Sequence, residues 1–211
     1  MVARFRPPVQ QRSAATLDRL VRAAEELFAE KGYEATTVDD VVARAGSSKG
    51  SFYHRFADKE ALLAYLGGEC LARSHATWAE LLDPDRTAGR PLIEVLGEFV
   101  QHLVADYRGS DGPVLRALTI EARQNPAGEF QRMTDELDGH IRDALERLLR
   151  ARSADITHPN PKLAARFGLL LLDAGVREAV LFATDRRGPL AVRDTDLRRE
   201  LTRAYAAYLG A

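Results

Sequence analysis

The chain has 211 residues, 45% hydrophobic and 29% charged, with a formal net charge of -1 and a single cysteine. This composition is globular, and the length is enough to bury a sizeable core. It excludes an intramolecular disulfide and a paired-cysteine metal site, and any affinity for nucleic acid must come from local clustering of charge.

An arm over residues 1–14 carries Arg4, Arg6 and Arg12, with no acid before Asp18. Pro7-Pro8 keeps it extended. Such an arm suits the minor groove or the phosphates, an unstructured solvated tail being the equal alternative. Leu17, Leu20, Val21, Ala24, Leu27 and Phe28 then follow the spacing of an amphipathic helix, which Gly32 should end just past Lys31. Thr36 and Thr37 stand three residues before Asp39 and Asp40, a doubled capping-box pattern opening a short helix with Val38, Val41, Val42 and Ala45 on its apolar face. Gly46 breaks that helix, and Ser47 or Ser48 caps a third one reaching Phe56. Asp58 caps a long fourth helix to about Leu82.

Beyond Leu82 the turn residues Asp83-Pro84-Asp85 and Ala88-Gly89-Arg90-Pro91 change the rhythm. Further helices are predicted over Pro91–Tyr107, Pro113–Gln124, Pro126 to about Arg152, Pro161–Thr184 and Asp194–Leu209. In the first four a proline lies at or near the first turn, where its missing N–H costs nothing. No period-2 strand, repeat or low-complexity tract is found. The predicted class is all-α, about nine helices: a helix-turn-helix domain over 15–57, then a helical bundle over 58–211.

Helices two and three, joined by a tight glycine-containing turn, have the helix-turn-helix pattern, in which the second helix enters the major groove. Phe52 and Phe56 supply the apolar face that holds it. Ser48, Lys49, Ser51, Tyr53, His54 and Arg55 are donors for its outward face. Across residues 44–59, Arg44, Lys49, Arg55 and Lys59 against Asp58 give a local charge of +3. An ordinary solvated helix of an unrelated bundle is the competing explanation, and the framing caps, glycines and aromatics weigh against it.

From about Ala15 to Leu63 the chain resembles the TetR family of bacterial transcriptional regulators, through "LFAEKGYEATTVDDVVARAG" and "SKGSFYHRFADKEALL". It departs from the family at Ser47, where an apolar residue is usual. The resemblance implies that Tyr53, His54 and Lys59 touch DNA phosphates, and that Thr36 or Thr37, Arg44, Ser48, Lys49 and Ser51 lie near the backbone or bases. Past Leu63 the likeness is one of architecture: a variable bundle that holds a ligand and dimerises through its last two long helices.

The residues of that bundle point the same way. The helix "LAARFGLLLLDAGVREAVLFA" is apolar nearly all round and needs burial on more than one side, so a homodimer through 161–184 and 194–209 is expected. Polar or aromatic residues on apolar stripes are the candidates for an unidentified small-molecule effector: Trp78, Phe99, His102, Glu121 and His140. Each is more often structural than a ligand contact, and the histidines are too scattered for a metal site. Asp173 is expected to pair with Arg177, and Cys70 to act as a small buried hydrophobe.

No nucleophile elbow, P-loop or zinc motif is present, so neither an enzyme nor a cofactor is expected. The expected protein is a ligand-responsive repressor that binds a double-stranded DNA operator. A helical small-molecule or lipid-binding protein with a vestigial helix-turn-helix is the alternative. The most apolar run, Phe167–Leu172, is far short of the roughly 20 residues of a membrane span, and no N-terminal signal segment is seen, so a cytoplasmic location is expected.

Overall fold

A computed structural model of the chain describes residues 11–182 and 192–211. Arg4, Arg6 and Pro7-Pro8 of the predicted arm lie outside the described residues, as does the predicted end of the eighth helix at Thr184. The described residues form nine α-helices and no strand: α1 (Gln11–Lys31), α2 (Val38–Arg44), α3 (Lys49–Tyr53), α4 (Lys59–Leu81), α5 (Leu92–Arg108), α6 (Gly112–Gln124), α7 (Glu129–Ala151), α8 (Pro161–Val176) and α9 (Asp194–Leu209). A π-helical stretch, Arg177–Phe182, continues α8.

Local chemistry sets most boundaries. Gly32 and Gly46 end α1 and α2 at φ 82° and 55°, left-handed values that a side chain would oppose. Thr37 and Asp40 form a reciprocal capping box: the Asp40 N–H donates to Thr37 Oγ1 at 3.1 Å and the Thr37 N–H to Asp40 Oδ2 at 2.8 Å. Ser48 caps α3 by accepting from the Ser51 N–H at 3.2 Å, and Asp58 accepts from the Ala61 N–H at 2.7 Å.

Two predicted starts are corrected. α1 already includes Gln11 to Ala14, inside the expected arm, because no helix breaker separates Pro8 from Leu17. α7 begins at Glu129, because residues 125–128 form a turn closed by the Gly128 N–H on the Asn125 carbonyl at 2.9 Å.

The chain divides into two compact units, residues 1–71 with 113–134, and residues 72–112 with 135–211. The division differs from the expected boundary at 57/58. The first core holds Leu20, Phe28, Val41, Phe52, Phe56 and Leu63, together with Val114, Leu118 and Phe130 of α6 and α7. α6 therefore belongs to the helix-turn-helix unit. The second core is built on Trp78, Leu96, Phe99, Leu145, Leu172 and Tyr205. α4 contributes Lys59 to the first unit and Trp78 to the second.

In the second unit Asp173 takes its expected partner, Arg177 Nε at 2.8 Å, and also accepts from the Tyr107 hydroxyl at 2.9 Å. Asp106 has no such cation among the described residues. Burial, reinforced by Asp111, raises its carboxyl to about 6. The folded state therefore holds this proton more tightly than the unfolded chain, and stability falls as pH rises from about 4 to 6 and stays lower above. Asp106→Asn should raise stability at pH 8 by about 1–3 kcal/mol and leave it little changed at pH 4. Urea titrations at the two pH values measure the difference.

Candidate nucleic-acid interface

α3 is five residues long and cannot hold its shape alone. Phe52, fully buried, anchors it, with the Phe56 ring 5.5 Å away. That anchoring turns the opposite face outward. Ser48, Lys49 and His54 are exposed, Ser51 is partly exposed, and Tyr53 is 53% exposed with its ring edge-on to Phe52. Thr37, the cap of α2, and Arg44 at its end are exposed as well.

The cations of this face are already engaged. Lys49 Nζ lies 2.8 Å from Asp39 Oδ1, which pushes its ammonium to higher pKa. Arg44 makes a two-pronged contact to Glu30, both prongs 2.8 Å, and reaches Glu26 at 3.2 Å. Beside them Asp40 is held far below the ordinary carboxylate range by Lys31 at 2.7 Å and by Thr37.

Three expected DNA-facing groups are placed elsewhere. Thr36 is 1% exposed, and its hydroxyl donates to the Gly32 carbonyl at 2.7 Å, so the loop before α2 consumes it. Arg55 is 4% exposed, so its side chain is not part of the outward face. Lys59 points its ammonium at the loop between α1 and α2. It donates to the carbonyls of Tyr33 at 2.9 Å and Glu34 at 3.4 Å, and lies 4.2 Å from the centre of the Tyr33 ring. This lysine ties α4 to the loop that positions α2. Lys59→Met should destabilise the first unit by about 1–3 kcal/mol, the scale of losing charged hydrogen bonds. A urea melt checks this; unchanged stability would return Lys59 to a purely external role.

Residues 20–66 match the family described as bacterial regulatory proteins, tetR family. Those residues carry a domain of the TetR type. Among curated relatives it is 31% identical over 131 residues to the HTH-type transcriptional regulator YerO of Bacillus subtilis, covering 61% of this chain and 45% of that one. It is 33% identical over 94 residues to the HTH-type transcriptional repressor KstR2 of Mycolicibacterium smegmatis, covering 44% of each. The matches thus span less than half the length of these relatives. In fold, the chain is similar to Salmonella enterica GusR, with TM-score 0.67, 20% identity, and coverage of 96% of this chain and 99% of that one. It is similar also to the TetR family transcriptional regulator PfmR of Thermus thermophilus, with TM-score 0.64, 24% identity, and coverage of 91% and 97%.

The second unit brings together part of the predicted ligand set. Trp78 is 2% exposed, with the ring centres of Phe99 at 5.2 Å and His102 at 6.1 Å. Its indole N–H is buried without a hydrogen-bond acceptor among the described residues. His102 also lines a cleft of about 340 Å³ with Thr77, Leu81, Thr87, Arg90 and Glu98.

Glu121 and His140 are corrected. Glu121 belongs to the first unit, where burial and the neighbouring Glu34 raise its carboxyl, whereas Trp78 belongs to the second. His140 is exposed rather than buried on its stripe, because its Nδ1 turns back to the Glu136 carbonyl at 2.8 Å. Its ring packs 4.2 Å from His75, a residue the sequence reading missed. His75 Nε2 is buried without a partner among the described residues, and burial followed by the His140 charge lowers its pKa. The signal was available, since His75 precedes Trp78 by three residues on one helix face.

Among the described residues no group of three or more His, Cys, Asp or Glu is arranged to hold a metal ion, and no helix is long and apolar enough to cross a membrane.

Proposed function

We propose that this chain is a ligand-responsive transcriptional repressor that binds a palindromic operator as a homodimer and is released by a small molecule. The observation that carries the reading is the outward face of α3. Ser48, Lys49, Tyr53 and His54 are presented to solvent by a helix whose opposite side is fixed by fully buried Phe52. Phosphate contacts from such a face position the protein, and base-edge contacts specify the sequence. Thr37, Arg44 and Ser51 complete the proposed surface, with Lys59 supporting it from behind.

The homodimer is supported by α8. Leu163, Phe167 and Leu170 are 51%, 43% and 65% exposed, and their spacing of four and three puts them on one side of the helix. Such an apolar stripe asks for a partner, and a second copy applied about a two-fold axis offers the same stripe in return. In a two-fold dimer the recognition helices meet half-sites about 34–36 Å apart.

For the effector, the reading places Trp78, Phe99 and His102, with His75 beside them, at the ligand site. An effector that prefers a different arrangement of α4 changes the spacing of the recognition helices. The coupling is reciprocal, and at about 1–3 kcal/mol it lowers operator affinity some 5–150-fold.

The test is selection of bound DNA from a random pool, repeated with and without a cell metabolite extract. The expected result is a palindromic motif whose recovery falls in the presence of extract. Recovery of no enriched sequence would sink the reading.

A further inference from the structure

We propose that the effector is an uncharged carbonyl compound on an apolar skeleton, a ketone, ester or lactone, whose oxygen accepts from the Trp78 indole N–H and from His75. The proposal rests on the effector reading above and deepens it by naming the chemical class.

Two polar atoms buried in the second unit have no hydrogen-bond partner among the described residues, Trp78 Nε1 and His75 Nε2. Both residues belong to α4, three positions apart, which sets their side chains beside each other on one face of the helix. A buried donor without an acceptor is costly and rare, so each such atom calls for a partner. Trp78 is 2% exposed, and an indole N–H can only donate. Burial, followed by His140, holds His75 below its ordinary pKa, so its ring is uncharged at neutral pH. A neutral imidazole carries one N–H, and with the proton on Nε2 it gives a second donor beside the indole. One carbonyl oxygen, with two lone pairs, can serve both.

The surroundings select the rest of the molecule. Phe99 and His102 lie 5.2 and 6.1 Å from the Trp78 ring, and His140 lies 4.2 Å from the His75 ring. Aromatic walls with a few placed polar groups are the usual make-up of a small-molecule site. The cleft of about 340 Å³ adjoins this group through His102, with Thr77 and Leu81 of the same turns of α4 in its lining. The arginines of that cleft are already matched, Arg90 with Glu98 at 2.5 Å and Arg86 with Glu80 at 2.5 Å. An anion would therefore meet neutral donors and committed cations, and an ammonium would set its own donors against the indole. An uncharged carbonyl satisfies both N–H groups and leaves no buried charge behind.

Trp78 is the sole tryptophan, so one indole N–H resonance in the NMR spectrum of the full-length protein reports on this atom. The isotope-labelled protein is titrated with methyl hexyl ketone, octanoate and octylammonium, which match in carbon count and differ in head group. The ketone should move the indole proton downfield and bind at least about tenfold more tightly than either ion. Trp78→Phe keeps an aromatic ring and removes the donor. By calorimetry this variant should bind the ketone about five- to tenfold more weakly, and His75→Leu should weaken it by a similar factor. Circular dichroism checks the fold of both variants, and the wild-type indole shift decides alone where a variant does not fold.

Octanoate bound as tightly as the ketone would overturn the inference, by showing a cation at the site, and would leave the effector reading standing. So would a ketone whose affinity ignores Trp78→Phe and whose binding leaves the indole resonance in place. Silence toward all three compounds would mean that water satisfies the donors, and the inference would fall. Only if the metabolite extract also failed to release operator DNA would the effector reading beneath it fall as well.

Discussion

Replacing Phe52 by alanine should destabilise the first unit by about 3–5 kcal/mol and abolish operator binding. Phe52 is fully buried, and it is the buried residue of α3. A five-residue helix has no stability of its own, since helix nucleation is unfavourable and too few bonds follow to offset it. α3 is ordered because this ring joins the first core, with the Phe56 ring 5.5 Å and the Tyr53 ring 5.4 Å away. Truncation leaves a cavity under the recognition helix, and the outward residues lose their fixed geometry.

The sole tryptophan gives a useful internal control, because Trp78 lies in the second unit. The variant should keep native tryptophan emission while its denaturant midpoint by circular dichroism falls and its DNA affinity disappears. Phe52→Leu should lose less, as a shape-tolerated apolar replacement. Wild-type DNA affinity in Phe52→Ala would contradict the anchoring account.

Leu170→Asp should convert the protein to a monomer. Leu170 is 65% exposed in the subunit, so a carboxylate there costs the fold little. In a two-fold dimer each change is made twice. Losing the burial of two leucines removes about 3–6 kcal/mol of association free energy, before any cost of desolvating charge. That is a weakening of at least about a hundredfold. Sedimentation should show the dimer in the wild type and the monomer in the variant. Operator affinity should drop sharply, since two half-sites are no longer bound by one particle. A variant that remains dimeric at low concentration would remove α8 from the interface.

The parts of this chain that were legible in advance are those governed by neighbours in sequence. The helical spacing of Leu17 to Phe28, the capping box of Thr37 and Asp40, Ser48 before α3 and Asp58 before α4 each bring their interacting groups within four residues of one another. Such signals survive without knowledge of the fold. The α7 start was misread because a proline is compatible both with a first helical turn and with the turn that residues 125–128 form. The candidate site was legible in outline, as a turn and a short helix with aromatics on one face. Its electrostatics were not, because counting charge along residues 44–59 cannot see acids that arrive from α1 and α2. Glu30 and Asp39, at separations of fourteen and ten residues from Arg44 and Lys49, decide how much of that charge faces outward.

Spacing, caps and turn residues were enough to give the all-α class, the order and rough extent of the helices, the turn between α2 and α3, and the anchoring role of Phe52 and Phe56. Packing was needed to show that Arg55 is buried, that Lys59 reaches back to the Tyr33 and Glu34 carbonyls, that α6 joins the first unit, and that Glu121 and Trp78 belong to different units. The division has one physical cause. Backbone hydrogen bonds and caps close over three or four residues, so their chemistry is written locally. The partner of a long charged side chain, or the core that a helix joins, depends on which distant surfaces the packed chain brings within a few ångströms.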